Sequence, residues 1–205
     1  MFKSLRPSLA IVLAMLVGTF GAFGYDTPLS DEAVREAYFL GQRHDEITAH
    51  LLETYRRYFS VPKSGPHVHA VELFTPYALE VEDASKRVTN YSAQQAERDY
   101  RIRGDFVRVA VHIRFTSTYG PGGDWRAFQI SLKQGGKTLE PRNVKSENTN
   151  MSLPAGRGGS RSHQTGFIVW LEYETSNLAS DETTVEIDTP DGQQVVASFD
   201  LSRLR

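Results

Sequence analysis

The chain has 205 residues, 40% of them hydrophobic and 23% charged, and this globular composition excludes collagen-like, coiled-coil and wholly disordered chains. Lys and Arg number 23 against 25 Asp and Glu, so a formal net charge of −2 gives no electrostatic basis for binding nucleic acid. Cysteine is absent, which excludes disulfides, a thiol nucleophile, zinc fingers and iron–sulfur clusters.

Residues 1–24 have the three parts of a secretory signal peptide. Lys3 and Arg6 form a basic start, residues 9–23 are an uncharged and largely apolar run, and Ala22 and Gly24 are the small residues that precede a cleavage site. The run is shorter than the roughly 20 residues of a spanning helix. We therefore expect cleavage after Gly24, no membrane span in the mature chain and a secreted or periplasmic location. Export without cysteine also favours a bacterial source.

Residues 25–60 are predicted to form an N-terminal helical hairpin. Ser30 can cap the first helix, and Gly41 suits the left-handed position at its C-terminal end. Apolar residues spaced by three or four predict a second helix over residues 45–59. The proline-rich residues 61–66 are predicted to be a linker.

Residues 67–205 are predicted to form a mainly β domain, an immunoglobulin-like β-sandwich of about seven strands. Hydrophobic and polar residues alternate with period two in several segments, which is typical of half-buried strands. These segments are residues 107–115, 128–132, 167–173, 185–187 and 195–201. Gly135-Gly136 and Pro190-Asp191-Gly192 are turn signals between them.

The beginning of this domain is less regular. Residues 68–81 are predicted to form a first edge strand that Pro76 interrupts, because proline is tolerated only at sheet edges. A short helix is predicted to follow this strand. Ser92 and Gln95 match a capping box at its start, and Gly104 matches its end.

His67 and His69 are the candidate metal ligands. Residues two apart in an extended segment point to the same side, and two imidazoles on one side can bind zinc or copper. A third ligand is needed, and Glu72 faces away from His69 in a regular strand. His112 and His163 are the remaining candidates for it. The alternative interpretation is an exposed histidine pair at the start of a strand.

Two glycine-rich segments provide candidate ligand-binding residues. The first leads into Trp125 and Arg126, and the second contains Arg157 and Arg161. Arginines and backbone amides in such loops can bind anions. Neither segment has the spacing of a phosphate-binding or dinucleotide-binding motif, so flexible loops are the alternative interpretation.

The sequence contains no recognisable set of catalytic residues and no cofactor-binding motif. We therefore expect an exported, non-catalytic binding or structural module of the periplasm or cell envelope. Its partner is expected to be an envelope protein or a glycan, and association through an exposed edge strand is a further expectation. The alternative function is a metal-dependent hydrolase that uses His67 and His69.

Overall fold

The computed structural model describes residue 25 and residues 27–62, 65–87, 89–116, 123–155 and 159–205. The expected signal peptide lies outside these residues. The described part of the chain is mainly β, with two antiparallel sheets and four α-helices. Within the same ranges, no helix combines the length and the apolar character needed to cross a membrane.

The first helix, α1 (Asp31–Gln42), begins where the sequence predicted. The hydroxyl oxygen of Ser30 accepts a hydrogen bond of 3.1 Å from a first-turn amide. The prediction for Gly41 is wrong, because this glycine lies inside α1 and is buried. A Cβ atom there would come within 2.4 Å of the carbonyl oxygen of Val81. The left-handed conformation belongs instead to His44, with φ of 50°.

The predicted second helix is too long at its C-terminal end. The helix α2 (Glu46–Thr54) ends early, and Arg56–Tyr58 form a short strand, β1, that pairs with β2 (Pro66–Phe74). Tyr55 between them is fully buried in the core. Ile47, expected on the buried face of the helix, is 56% exposed. The spacing of apolar residues by three or four therefore continued past the end of the helix into residues of the five-stranded sheet.

The predicted interrupted strand over residues 68–81 is also wrong in its second half. Pro76 begins a helix, α3 (Pro76–Lys86), in which the hydroxyl oxygen of Thr75 accepts a hydrogen bond from a first-turn amide at 3.3 Å. Proline suits this first helical position because its missing N–H would have no partner there. β2 is not an edge strand either, since it lies between β1 and β3 (Phe106–Phe115).

The inserted helix is confirmed as α4 (Ala93–Arg103). The Ser92 hydroxyl accepts a hydrogen bond of 3.2 Å from the amide of Gln95. Gly104 ends the helix with φ of 74°, a conformation that favours glycine.

The remaining strands complete the two sheets. They are β4 (Gln129–Gln134), β5 (Lys137–Leu139), β6 (Asn143–Ala155), β7 (Gly159–Glu174), β8 (Glu182–Asp188) and β9 (Gln194–Asp200). The strand order is β1-β2-β3-β7-β6 in the five-stranded sheet and β5-β4-β8-β9 in the four-stranded sheet. The predicted alternating segments are all strands. β6 was not predicted, because most of its residues are polar and they do not alternate regularly with apolar ones.

Both sheets contribute to one hydrophobic core. Val109 and Val111 of β3, Val185 of β8 and Phe199 of β9 are fully buried in it. A second, smaller cluster joins the helices and contains Val34, Ala37, Tyr77, Val81, Ala96 and Tyr100. Different side chains of α3 belong to the two clusters, so this helix connects the helical layer to the sheets.

Candidate functional site

A β-bulge at His69 determines which side chains of β2 share a face. The register between β2 and β3 shifts between Val68 and Ala70, so His69 has no partner of its own on β3. This extra residue changes the alternation along β2. His69 and Glu72 consequently lie on the same outer face of the five-stranded sheet, away from the core. The sequence prediction that Glu72 faces the other side is wrong for that reason.

Contacts with β1 confirm the shared face. Arg56 and Tyr58 are two residues apart on β1, so their side chains point to the same side. The Tyr58 ring lies 5.8 Å from the ring of His69, centroid to centroid. The guanidinium of Arg56 donates hydrogen bonds to Glu72, with Nε at 2.6 Å from Oε1, and to the Tyr58 hydroxyl at 3.0 Å.

Glu72 is a buried carboxylate with two basic neighbours. Arg56 forms a salt bridge with it, and Nε2 of His112 on β3 lies 3.3 Å from its Oε1. Burial raises the pKa of Glu72, but His112 and Arg56 outweigh this effect and hold the pKa below its ordinary value. Glu72 is therefore ionised at neutral pH, and its charge is already paired.

His67 and His69 are held next to positive charge. His67 lies directly opposite Arg114 of β3, and only 6% of its surface is exposed. Burial and the charge of Arg114 lower the pKa of His67, although the nearby Gly65 carbonyl has the opposite effect. Burial is also the largest cause that lowers the pKa of His69, and interactions with Arg114, His67 and His112 lower it further.

Several ring nitrogens at this face are buried without a hydrogen-bond partner among the described residues. They are Nδ1 and Nε2 of His67, Nδ1 of His69 and Nε2 of His112. Nε2 of His112 is close to the carboxylate of Glu72, but the two groups are not aligned as in a hydrogen bond. A buried polar atom without a partner costs about 1–3 kcal/mol. Such groups are unusual in folded proteins unless they have a role.

A cleft of about 620 Å³ opens beside His112. His112 and Arg114 line it on β3, and Ile168 and Met151 line it on β7 and β6. Thr149, Thr165, Phe115 and the backbone of Ile113 complete its walls. Its volume lies within the range of small-molecule sites, about 300–1,000 Å³, and its lining combines apolar side chains with a few polar groups.

Two of the predicted loop ligands, Trp125 and Arg126, do not line this cleft. Trp125 and Arg126 lie in a single helical turn after β3, where Arg126 stacks on Trp125 and its amide donates a hydrogen bond of 3.0 Å to Asp124. Arg157 lies outside the described residues. Arg161 belongs to β7, opposite Leu153 of β6, and its side chain is not among those described. These four residues remain predictions.

Only one of the two candidates for a third metal ligand lies on the same face as His67 and His69. His112 joins His67 and His69 on the outer face, whereas His163 pairs with Met151 beyond the end of β3. Across the described ranges, no group of three or more His, Asp or Glu side chains has an arrangement that could hold a metal ion.

Sequence reasoning did not identify Arg56, Tyr58 and Arg114 as part of a site. Arg114 was recognisable only as one of the polar residues that alternate along β3. The register between β2 and β3, which places it opposite His67, is a tertiary property.

A second charged cluster lies between α3, α4 and β3, and its groups are paired with one another. Arg103 forms salt bridges with Glu80 and Asp83, and Arg108 forms one with Glu82. Burial lowers the pKa of Arg103 to about 10 and raises the pKa of Asp83. These ion pairs attach the helices to the sheet. Asp83 and Arg103 also line a cavity of about 240 Å³, together with Arg87, Asp99 and Ile102.

Comparison with known proteins does not assign the site. No protein-family model matches the chain, and no curated protein matches it.

Proposed function

We propose that this protein is an exported, non-catalytic binding module of the periplasm or cell envelope. Its domain is proposed to be an immunoglobulin-like β-sandwich preceded by a helical hairpin. The signal-like residues 1–24 support export. Two antiparallel sheets around a common core support the sandwich. A binding function on such a fold must be argued from a site rather than from the fold itself.

The observation that supports binding most strongly is the cleft on the outer face of the five-stranded sheet. It has the size of a ligand site, and His112 and Arg114 provide polar groups at one side. Ile168 and Met151 provide apolar surface at the other, with Met151 51% exposed. The proposed ligand is a component of the cell envelope that occupies this cleft.

A screen by thermal shift, followed by NMR mapping, tests this proposal. Organic acids, sugars and short peptides are added to the protein, and at least one class is expected to raise the Tm. The amide shifts caused by that class are expected at Ile168 and its neighbours on β3 and β6. Ile168→Gln, which alters the cleft wall, is expected to weaken the stabilisation. Lys137→Gln, an exposed change on β5 in the other sheet, serves as the control.

Two results would reject binding at this cleft. The first is that no compound class raises the Tm of the wild-type protein. The second is that every amide shift maps to the four-stranded sheet while Ile168→Gln binds normally.

A metal-dependent hydrolase is the second candidate function. The observation in its favour is that His67, His69 and Glu72 share one face because of the bulge. Metal analysis of the purified protein separates the two candidates. Stoichiometric zinc that disappears in the His67→Ala/His69→Ala double variant would favour the hydrolase. A metal-free protein whose Tm is unchanged by a chelator would exclude it.

A further inference from the structure

We infer that the cleft beside Arg114 binds a small organic anion, with the charged group at Arg114 and His112 and the apolar part along Ile168 and Met151. This inference rests on the proposed binding function and names the class of ligand. It depends on the fold, because the pairing of β3 with β7 and of β7 with β6 places Ile168 and Met151 beside the two basic groups.

Arg114 is the group that would contact the anion directly. Its side chain is exposed at the cleft, and no carboxylate in the described part of the chain forms an ion pair with it. Two other arginines on this sheet differ in that respect, since Arg56 is paired with Glu72 and Arg108 with Glu82. A guanidinium can bind a carboxylate, phosphate or sulfonate through two parallel hydrogen bonds.

The charges around the cleft favour an anion over a metal cation. β1 contributes Arg56 and the phenol of Tyr58, β2 contributes two histidines and Glu72, and β3 contributes His112 and Arg114. Glu147 of β6 lies two strands from His112 in the sheet register. Glu72 is the only carboxylate of these within hydrogen-bond reach of the basic groups in the described structure, and Arg56 already neutralises it. A metal ion at the histidines would be repelled by Arg56 and Arg114.

The apolar wall of the cleft selects an anion that carries an apolar part. Ile168 lies opposite His112 in the pairing of β7 with β3, and Met151 on β6 is half exposed above it. Covering these side chains removes apolar surface from water, worth about 25 cal/mol per Å². An inorganic anion would leave this surface uncovered and would bind more weakly.

Titration calorimetry with three probes tests the inference. Benzenesulfonate has a fixed charge, benzenesulfonamide is its neutral counterpart, and inorganic sulfate lacks the apolar part. Chloride keeps the ionic strength constant. Benzenesulfonate is expected to bind more tightly than either of the others. Its affinity is expected to exceed that of benzenesulfonamide at least about tenfold, the size of one hydrogen bond to a charged group.

A charge-removing variant tests the contact directly. Arg114→Gln is expected to lose benzenesulfonate binding. Lys137→Gln is the matched control, because it removes an exposed cation from β5 in the other sheet. It is expected to leave binding unchanged.

The outcomes distinguish this inference from the proposed function. Equal binding of benzenesulfonamide and benzenesulfonate at the cleft would overturn the anion specificity and leave the binding function in place. Binding of benzenesulfonate that survives Arg114→Gln would also overturn the inference. Failure of every compound class in the thermal-shift screen would reject the binding function itself.

Discussion

His67 shows at the scale of a single residue how the fold restricts protonation. The imidazole is 94% buried, faces Arg114, and has no hydrogen bond at either ring nitrogen among the described residues. Its protonated form would be both desolvated and repelled. The folded protein therefore favours the neutral ring at neutral pH, and the unfolded chain has no such preference.

This difference predicts that acid destabilises the protein before its carboxylates are protonated. The unfolded chain binds a proton at His67 near the ordinary pKa of 6.5, and the folded chain binds it only at lower pH. The unfolded state therefore holds more protons in this range. The free energy of unfolding is expected to fall between about pH 7 and about pH 5 because of this residue. Urea unfolding in chloride buffers measures it.

His67→Gln is expected to reduce the slope of stability against pH in that window. His50→Gln is the control, since His50 is exposed on α2. Protonation of Glu72 does not affect this comparison of slopes. Its pKa is held below the ordinary value of 4.5, so the stability that the ionised carboxylate contributes is lost only at lower pH. Equal slopes for His67→Gln and the wild-type protein would contradict the prediction.

The residues of the candidate site were only partly predictable. Period-two alternation indicated correctly that His67 and His69 share a face. It failed for Glu72, since a bulge adds one residue to a strand without a distinctive sequence. Arg114 and His112 reach the same face through a register that depends on the turn and the core.

At the scale of secondary-structure elements, helix packing depends on Gly41. α1 and α3 approach so closely that the Cα of Gly41 faces the backbone of Val81, and a Cβ would also lie 2.7 Å from the Cβ of Ala84. A backbone carbonyl cannot rotate away as a side chain can. The two helices would have to separate to accept any larger residue at this position.

Gly41→Ala is therefore expected to destabilise the protein by about 1–3 kcal/mol, the usual cost of overpacking. Helix propensity alone predicts the opposite, since alanine is favoured over glycine in a helix by about 1 kcal/mol. Chemical denaturation decides between the two effects. Gln94→Ala on the exposed face of α4 is the control and is expected to change stability by less than about 0.5 kcal/mol. A more stable Gly41→Ala variant would refute the packing argument.

Elements with strong local signals were predictable, and elements defined by their neighbours were not. Ser92 and Gly104 marked α4 correctly because capping is a local interaction. Pro76 was ambiguous, since proline fits both the edge of a sheet and the first turn of a helix. β6 was missed because its strand conformation comes from pairing with β7 rather than from an apolar face of its own.

At the scale of the whole molecule, α3 joins the two hydrophobic clusters. Tyr77 and Val81 pack in the helical cluster, whereas Ala78 and Leu79 pack in the core of the sheets. The sequence predicted a helical hairpin over residues 25–60, a linker over residues 61–66 and a β domain over residues 67–205. Because α3 belongs to both clusters, we expect the helices and the sheets to unfold together.

Thermal unfolding tests this cooperativity. Far-UV circular dichroism follows the helices, and fluorescence follows the two tryptophans, Trp125 and Trp170, which lie in the sheet region. The two midpoints are expected to coincide. Leu79→Ala is expected to cost about 2–5 kcal/mol and to lower both midpoints together. Loss of the helical signal at a lower temperature than the tryptophan signal would show that the two parts are independent.

The bulge at His69 also has a consequence for protein engineering. Regular pairing resumes on both sides of it, with Val68 opposite Ile113 and Val71 opposite Val111. A single extra residue thus brings polar rings together on the outer surface while the apolar residues keep their contacts with the core. Insertion of one histidine into a strand of another antiparallel pair would therefore be the smallest change that reproduces this bulge in an unrelated protein.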